Sequence, residues 1–497
     1  MSVQIPPQSA SGAEGRSARS RAILALLLAS VVVGACSKRS ATSTAPTTGP
    51  VASITMVPSV VPMIVGDTIR FSTNAYDSKG NVIYTTVSLT WKSTDSTVAT
   101  VSDSGLVTAK DTGSTTITAT SGAISGTATV TVKLPLTTAM ASVSAVSAGF
   151  SHSCGLVAGG VAYCWGSNAS GQLGVDSTTQ SVFPQRVSGG FTFASLALGY
   201  SHSCGLTAAG AAYCWGDNES GELGNATSGT TSSTPVPVAG GLAFAVLSAG
   251  YSHTCGVTTA GAAYCWGANE SGELGNGAVG QDSPTPVLVS GGLTFASISA
   301  GGVATCGITT SGAAYCWGSN AYGALGDGTT TDRATPVAVV GGLDLAAISA
   351  GVSHACGVTT SGAAYCWGDA ANGQLGNGVT SLSSSVPVAV AGGHTFAQIT
   401  TGEIHTCALT PAGIAYCWGD GGFGDLGAGS TAGSNTPVPV SGGLTFTSVS
   451  AGLSFHTCGR TPSGNAYCWG YNDSGELGDA IPGGYSVTPQ EVVVPTQ

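Results

Sequence analysis

Residues 204–216 read CGLTAAGAAYCWG: two cysteines ten positions apart, small residues between them, and a tryptophan directly after the second. The frame returns as CGVTTAGAAYCWG from Cys255, CGITTSGAAYCWG from Cys306 and CGVTTSGAAYCWG from Cys356. Fourteen of the 15 cysteines form seven such pairs: Cys154 with Cys164, Cys204 with Cys214, Cys255 with Cys265, Cys306 with Cys316, Cys356 with Cys366, Cys407 with Cys417, and Cys458 with Cys468. Successive first cysteines lie 50 or 51 residues apart. Cys36 stands outside the pattern.

Between paired cysteines runs Gly-Leu-Thr-x-x-Gly-x-Ala-Tyr or a close variant. A three-residue hairpin loop is a type I turn followed by glycine in the left-handed region, and Ala208-Ala209-Gly210 supplies one. Pro411 and Pro462 take the first loop position in two repeats, where a type I turn accepts proline. With Thr207 facing Ala211, counting outward sets Cys204 opposite Cys214 in a non-hydrogen-bonded pair, within disulfide reach. Seven intra-repeat disulfides are therefore predicted. Zinc is the alternative, because six repeats carry a histidine two residues before the first cysteine: His152, His202, His253, His354, His405 and His456. The fourth repeat has Ala304 there yet keeps both cysteines, and no fourth ligand recurs, whereas a structural zinc site closes with four. The histidines are expected to bond backbone within their own repeat or to sit at the surface.

A period near 50 residues with four short β-like segments per unit predicts propeller blades. The segments TPVPVAG, FAVLSAG, HTCGVT and AAYCWG illustrate one unit. The first unit begins at SVSAVSAG without a TPVPV-like segment before it, and the last carries an extra one, TPQEVVVP from Thr488. Strands from both chain ends are therefore expected to complete one shared blade and leave no free edge. Each unit also holds a stretch like WGDNESGELG, residues 215–224, after a Gly-x-x-His pattern. Over residues 142–497 this resembles the regulator-of-chromosome-condensation repeat superfamily, which implies a seven-bladed β-propeller. The fifth unit departs, reading WGDAANGQLG with its asparagine at Asn372, and the sixth reads WGDGGFGDLG with none. The asparagine is expected to form an Asx turn.

Upstream, Trp91 to Gly113 resembles the bacterial group-2 Ig-like domain, which implies a β-sandwich over residues 51–133. Residues 134–141 are expected to link it to the propeller, so the fold class is all-β: a sandwich, then the propeller. Near the start, Arg16, Arg19 and Arg21 precede the apolar run AILALLLASVVVG. This is the pattern of a signal peptide, and Val33-Gly34-Ala35-Cys36 resembles the lipobox of bacterial lipoproteins. Residues 1–35 are therefore expected to be the export signal, Cys36 the lipid-carrying residue, and 36–50 a Ser/Thr-rich tether. Paired cysteines agree with an exported, envelope-located chain.

From residue 151 onward, three arginines (Arg186, Arg333, Arg460) face eighteen acidic residues. That balance repels phosphates, so no nucleic-acid partner is expected. Eukaryotic relatives in the superfamily include a nucleotide-exchange factor for a nuclear small GTPase and a plant ultraviolet photoreceptor with tryptophans beside arginines. Exchange activity is retained by resemblance alone, as the most remote reading. The tryptophans here have no arginine neighbour and are expected to pack blades. Asp217, Glu219 and Glu222 raise the question of calcium, but the first unit reads SNASGQLG in their place, and calcium needs six or more oxygens. No cofactor, metal or catalytic constellation is expected, and the chain is read as a non-enzyme.

The segments after each Leu-Gly diverge, as in NATSGTTSST, NGAVGQDSPT and DGTTTDRAT. Variable loops on a fixed scaffold carry recognition. The candidates they offer are Asp176, Asn225, Gln281, Asp332, Arg333, Leu382, Asn435 and Tyr485. The expected function is a lipid-anchored surface protein that binds an extracellular protein or glycan, with membrane contact only through its anchor. The alternative is a secreted inhibitor of an extracellular enzyme, by analogy with β-lactamase-inhibiting propellers of the same superfamily.

Overall fold

The computed structural model describes residues 50–83, 87–111, 113–133, 137–140, 143–379, 382–481 and 483–495. The export segment, Cys36 and residues 37–49 of the tether lie outside them.

The first unit is a β-sandwich. Val60–Ile64 runs parallel to Ile124–Lys133, which pairs antiparallel with Gly113–Ser121, which in turn pairs with Thr90–Ser93. Facing this sheet lies Thr68–Arg70 with Leu106–Ala109 and Ala99–Val101, while Ser53–Val57 pairs with Ser72–Tyr76. Alternate residues point inward, as period-2 patterning requires, and Val107, Ile117, Ala119, Ala128 and Val130 form the core. The turn at Gly105 (φ 74°) tolerates no side chain: a Cβ there would lie 2.6 Å from the Trp91 ring.

Seven four-stranded antiparallel sheets follow, each made of consecutive strands. Blade one spans Val143–Arg186, two Ser195–Pro237, three Phe244–Leu288, four Phe295–Ala338, five Leu345–Ala389, six Gln398–Pro439 and seven Ser448–Glu491. First strands of successive blades touch one another around the whole ring, the seventh meeting the first, so they line the axis and the fourth strands form the rim.

Cys204 pairs with Cys214 across the central hairpin of blade two, and Thr207 N–H donates to Ala211 O at 2.9 Å, as the turn geometry requires. The same register recurs in every blade, and all seven intra-repeat disulfides are present. Cys154 is bonded to Cys164, Cys204 to Cys214, Cys255 to Cys265 and Cys306 to Cys316. Cys356 is bonded to Cys366, Cys407 to Cys417 and Cys458 to Cys468. Their Cα atoms lie 4.0–4.1 Å apart, the close approach of a non-hydrogen-bonded pair.

Ring closure differs from the sequence expectation. Among the described residues no blade is shared between the chain ends. The TPVPV-type segment is the outer strand of the unit before it, because the long loop after Trp-Gly returns the chain antiparallel to its own third strand, as in Tyr213↔Pro237. Thr137–Ala139, inside the expected linker, pairs instead with Val493–Pro495 as a two-stranded ribbon. Across the first–last seam, Val143 N–H donates to Gly464 O at 2.8 Å, the same bond that Phe244 N–H makes to Gly210 O at 2.9 Å between blades two and three.

Candidate functional site

Sites on this molecule are set by how each blade grips the next. His202 of blade two places Nε2 2.9 Å from the Thr254 hydroxyl of blade three. That hydroxyl donates its proton to Glu222 O at 3.0 Å, and Trp266 Nε1–H donates to the same carbonyl at 2.8 Å. Since the hydroxyl proton is committed, the imidazole must donate from Nε2–H, and Nδ1 is left as the bare nitrogen. The chain His → hydroxyl → carbonyl ← Trp recurs with His152 and Ser203, His253 and Thr305, His354 and Thr406, His405 and Thr457, and His456 and Ser153, with histidine–hydroxyl distances of 2.7–2.9 Å. Burial pushes these imidazoles from the ordinary 6.5 down to about 3 or 4, which keeps them neutral.

This corrects the sequence expectation for the histidines. They are fully buried and bond the neighbouring blade's side chain, not backbone within their own repeat. The zinc alternative also fails, because both sulfurs of each pair are bonded to each other. The hydroxyl partners were missed, although a Ser or Thr directly after each of five histidines, and after Ala304, was legible in the sequence. The tryptophans pack the blades as expected, with Nε1 bonded across every seam.

The long loops after Trp-Gly are held from within. Asn218 is buried; its Oδ1 accepts Leu223 N–H at 3.0 Å and its Nδ2 donates to Thr227 O at 2.9 Å. It therefore clamps two halves of the loop, a longer reach than an Asx turn. In blade five Asn372 does not take over this task; its own N–H donates to Gln374 Oε1, and Ala370 N–H donates to Leu382 O instead. Glu222 folds back to accept Ser220 N–H at 2.9 Å, and burial lifts it to about 7. Glu476 and Asp425 are lifted to about 7 for the same reason. Among the described residues no group of three or more His, Cys, Asp or Glu is placed to hold a metal ion.

Because the strands alternate in direction, the loop joining first and second strands shares one end of each blade with the loop joining third and fourth. The inner loops of this face surround the axis. Their variable position holds Phe150, Tyr200, Tyr251, Gly302, Val352, Glu403 and Leu453. The Phe150 and Tyr200 ring centroids lie 4.0 Å apart, and Tyr200 and Tyr251 lie 5.1 Å apart. Tyr251 reaches across the axis, its hydroxyl donating to Leu453 O at 3.3 Å. The Glu403 carboxylate lies near enough to raise the Tyr251 hydroxyl pKa further, beyond the larger effect of burial, and is itself raised by burial. The sequence signal for this mouth was one divergent position after a repeated glycine, in a Gly-x-Ser-His frame kept in blades one, two, three and five.

The loop residues singled out from the sequence lie on this same face. Asp176, Gln281, Asp332 and Leu382 are exposed, Leu382 at 85 %. Asn225 is half-buried, its side chain accepting Thr227 N–H at 3.1 Å. Arg333, Asn435 and Tyr485 belong to outermost strands rather than to loops. Arg333 is committed to Asp327 at 2.8 Å, and Asp332 accepts Asn320 N–H at 2.7 Å, so neither is a free contact group. Asn435, Ser434 and Gly433 face Ala371–Gly373 across an open cleft of about 400 Å³.

The profile of the regulator of chromosome condensation (RCC1) repeat matches residues 159–206, 209–257, 260–308, 311–358, 361–409 and 412–458. The chain belongs to the RCC1 repeat family. A second RCC1 profile matches six segments between 143 and 476 and passes over blade six, the unit without the loop asparagine. Residues 50–132 match the bacterial Ig-like domain (group 2). Similar RCC1 relatives include the ultraviolet-B receptor UVR8 of Arabidopsis thaliana, 33% identical over 344 residues, 67% of this chain and 78% of that protein. The probable E3 ubiquitin-protein ligase HERC4 of Homo sapiens is 30% identical over 237 residues, 47% of this chain but 18% of the ligase. Among solved structures, human WBSCR16 superposes with a TM-score of 0.62 at 22% identity, covering 67% of this chain and 95% of that one. Yeast RCC1 (Prp20) bound to Kap60 superposes at 0.60 and 20% identity, covering 66% and 83%. The two structures speak to fold.

Proposed function

We propose that this protein is an exported, lipid-anchored component of a bacterial envelope whose propeller recognises an extracellular protein or glycan. The observation that carries the reading is the convergence on one face of the two sets of positions that differ between blades: the axial residues and the outer loops. The strands and staples are largely repeated, and a repeated surface offers seven equal sites rather than one. The outer loops are rich in Ser, Thr, Gly and Asn, a composition suited to adaptable hydrogen bonding. The Ig-like unit and the Ser/Thr-rich segment after Cys36 suit a stalk that holds the propeller away from the membrane. The acidic propeller argues against a nucleic-acid partner, and export separates it from any cytosolic GTPase.

The test is capture of envelope and secreted proteins by the full chain, repeated after exchanging the loop Asn225–Thr234 for Asp327–Thr335. Retained folding with weakened capture supports the reading. Capture that survives replacement of all seven loops by one sequence overturns it. Incorporation of labelled fatty acid, abolished by Cys36→Ser, tests the anchor.

A further inference from the structure

The axial mouth sets aromatic rings against a carboxylate. Three aromatic rings from blades one to three crowd one side of it, and Tyr200 keeps 41% of its surface open. Opposite stands Glu403, half-buried and, among the described residues, without a hydrogen bond or ion pair of its carboxylate. A partly desolvated carboxylate without a partner is costly unless a cation meets it. Among the described residues of the propeller none does. Arg333 is paired with Asp327, while Arg186 and Arg460 sit beside the hairpins at the opposite end of their blades. Around the mouth the loops add Asp217, Glu219, Glu270, Asp369, Asp420 and Asp473, all at least partly exposed.

Resting on the reading of this face as the recognition surface, we propose that the axial mouth seats a lysine or arginine side chain carried on a basic protein segment, the cation lying on the Tyr200 ring with Glu403 as counter-charge. Aromatic faces attract cations through the ring quadrupole, more strongly where water is partly excluded. The acidic rim extends the attraction beyond one side chain, which favours a segment with several basic residues over a small cation.

The test uses the full chain and three probes: hexalysine, the same peptide with its side chains acetylated, and tetramethylammonium. Hexalysine is expected to bind, the acetylated peptide not to bind, and tetramethylammonium to bind far more weakly. Glu403→Gln and Tyr200→Ala should each weaken hexalysine binding about tenfold. Asp344→Asn, at the hairpin end where Asp344 accepts the Thr360 hydroxyl, should leave it unchanged. Tyr200→Phe keeps the ring face and should retain binding, which separates loss of the site from misfolding. Equal weakening by Glu403→Gln and Asp344→Asn would reduce the effect to bulk charge and overturn the proposal. Tetramethylammonium binding as tightly as hexalysine would overturn the macromolecular occupant, and no hexalysine binding would overturn the seat. If hexalysine fails while loop exchange still abolishes partner capture, the recognition face stands and this seat alone falls.

Discussion

Six of the seven seams between blades carry the histidine–hydroxyl bond, and the seam between blades four and five does not. There Ala304 stands where the histidine would be, and Ala355 where the hydroxyl would be, both buried. Both partners are missing from the same seam, although they lie in different repeats. Removing one partner of a buried hydrogen bond strands the other, whereas replacing both by apolar groups is nearly neutral. The unit that the fold keeps or discards is therefore the pair across the seam, not the repeat. This seam keeps the tryptophan bond, Trp367 Nε1–H to Ala324 O at 2.9 Å, as in the other six, together with bonds such as Ala350 N–H to Ser299 Oγ at 3.0 Å.

The largest expected effect is acid unfolding. The six seam imidazoles have folded values of about 3 or 4, below the ordinary 6.5. A lowered folded value gives stability that is present above pH 6.5 and is lost as pH falls toward 3. Glu222, Asp425 and Glu476, raised to about 7, act in the opposite sense: their contribution is full below the ordinary carboxylate range and is lost as pH rises through 7. Burial raises Glu273, Glu403 and Asp479 in the same sense, but the fully buried imidazoles carry the larger shifts, so stability should fall as pH drops from 6.5 to 4. Urea unfolding of the full chain across pH 4–9 measures this; greatest stability at pH 4 would contradict the buried neutral imidazoles.

Next come Trp266→Ala and Trp367→Ala. Each removes a fully buried indole and a seam bond, and should cost about 3–5 kcal/mol. If the tryptophan is the common element of all seams, the two losses should be similar; a much smaller loss for Trp367→Ala would make the four–five seam a different structure. Removing one staple, Cys255→Ala with Cys265→Ala, opens a short loop and should cost at most about 3 kcal/mol in the chain-entropy model, read from the same urea transitions. His202→Ala, which strands no proton of Thr254 but removes a buried bond and leaves space, should cost about 1–3 kcal/mol.

The smallest effect is the sharpest test of the comparison. Ala304→His alone should destabilise the protein, because a buried imidazole would face Ala355. Adding Ala355→Thr should recover about 1 kcal/mol, measured as the coupling energy of a double-mutant cycle. Zero coupling would show that the two alanines are unrelated.

The hairpin register, the disulfide pairing and the blade count were legible because they are local or periodic. A three-residue turn fixes which residues face each other, and the even spacing of cysteines counts the units. The Ig-like unit was legible for a similar reason: its turn glycine, Gly105, and its partner Trp91 sit within one short stretch. Ring closure was not legible. The TPVPV segment is compatible with the sheet before it or after it, and only pairing of third with fourth strands across the long loop decides.

The candidate site was half legible. Divergent loops marked the face proposed for recognition, but not that Arg333 is tied down by Asp327 or that Asn225 serves its own turn. The seam histidines read as surface or backbone-bonding groups because their partners lie 51 or 52 residues away in the next blade, or 303 away across the closing seam. Phe150, Tyr200, Tyr251 and Glu403 come from four different blades and meet because a closed seven-membered ring brings its inner loops to one axis. Periodicity is a property of the chain, so the sequence by itself determined the blade. Convergence on an axis and contact across a seam are properties of closure, so the tertiary structure alone decided which blade residues meet there.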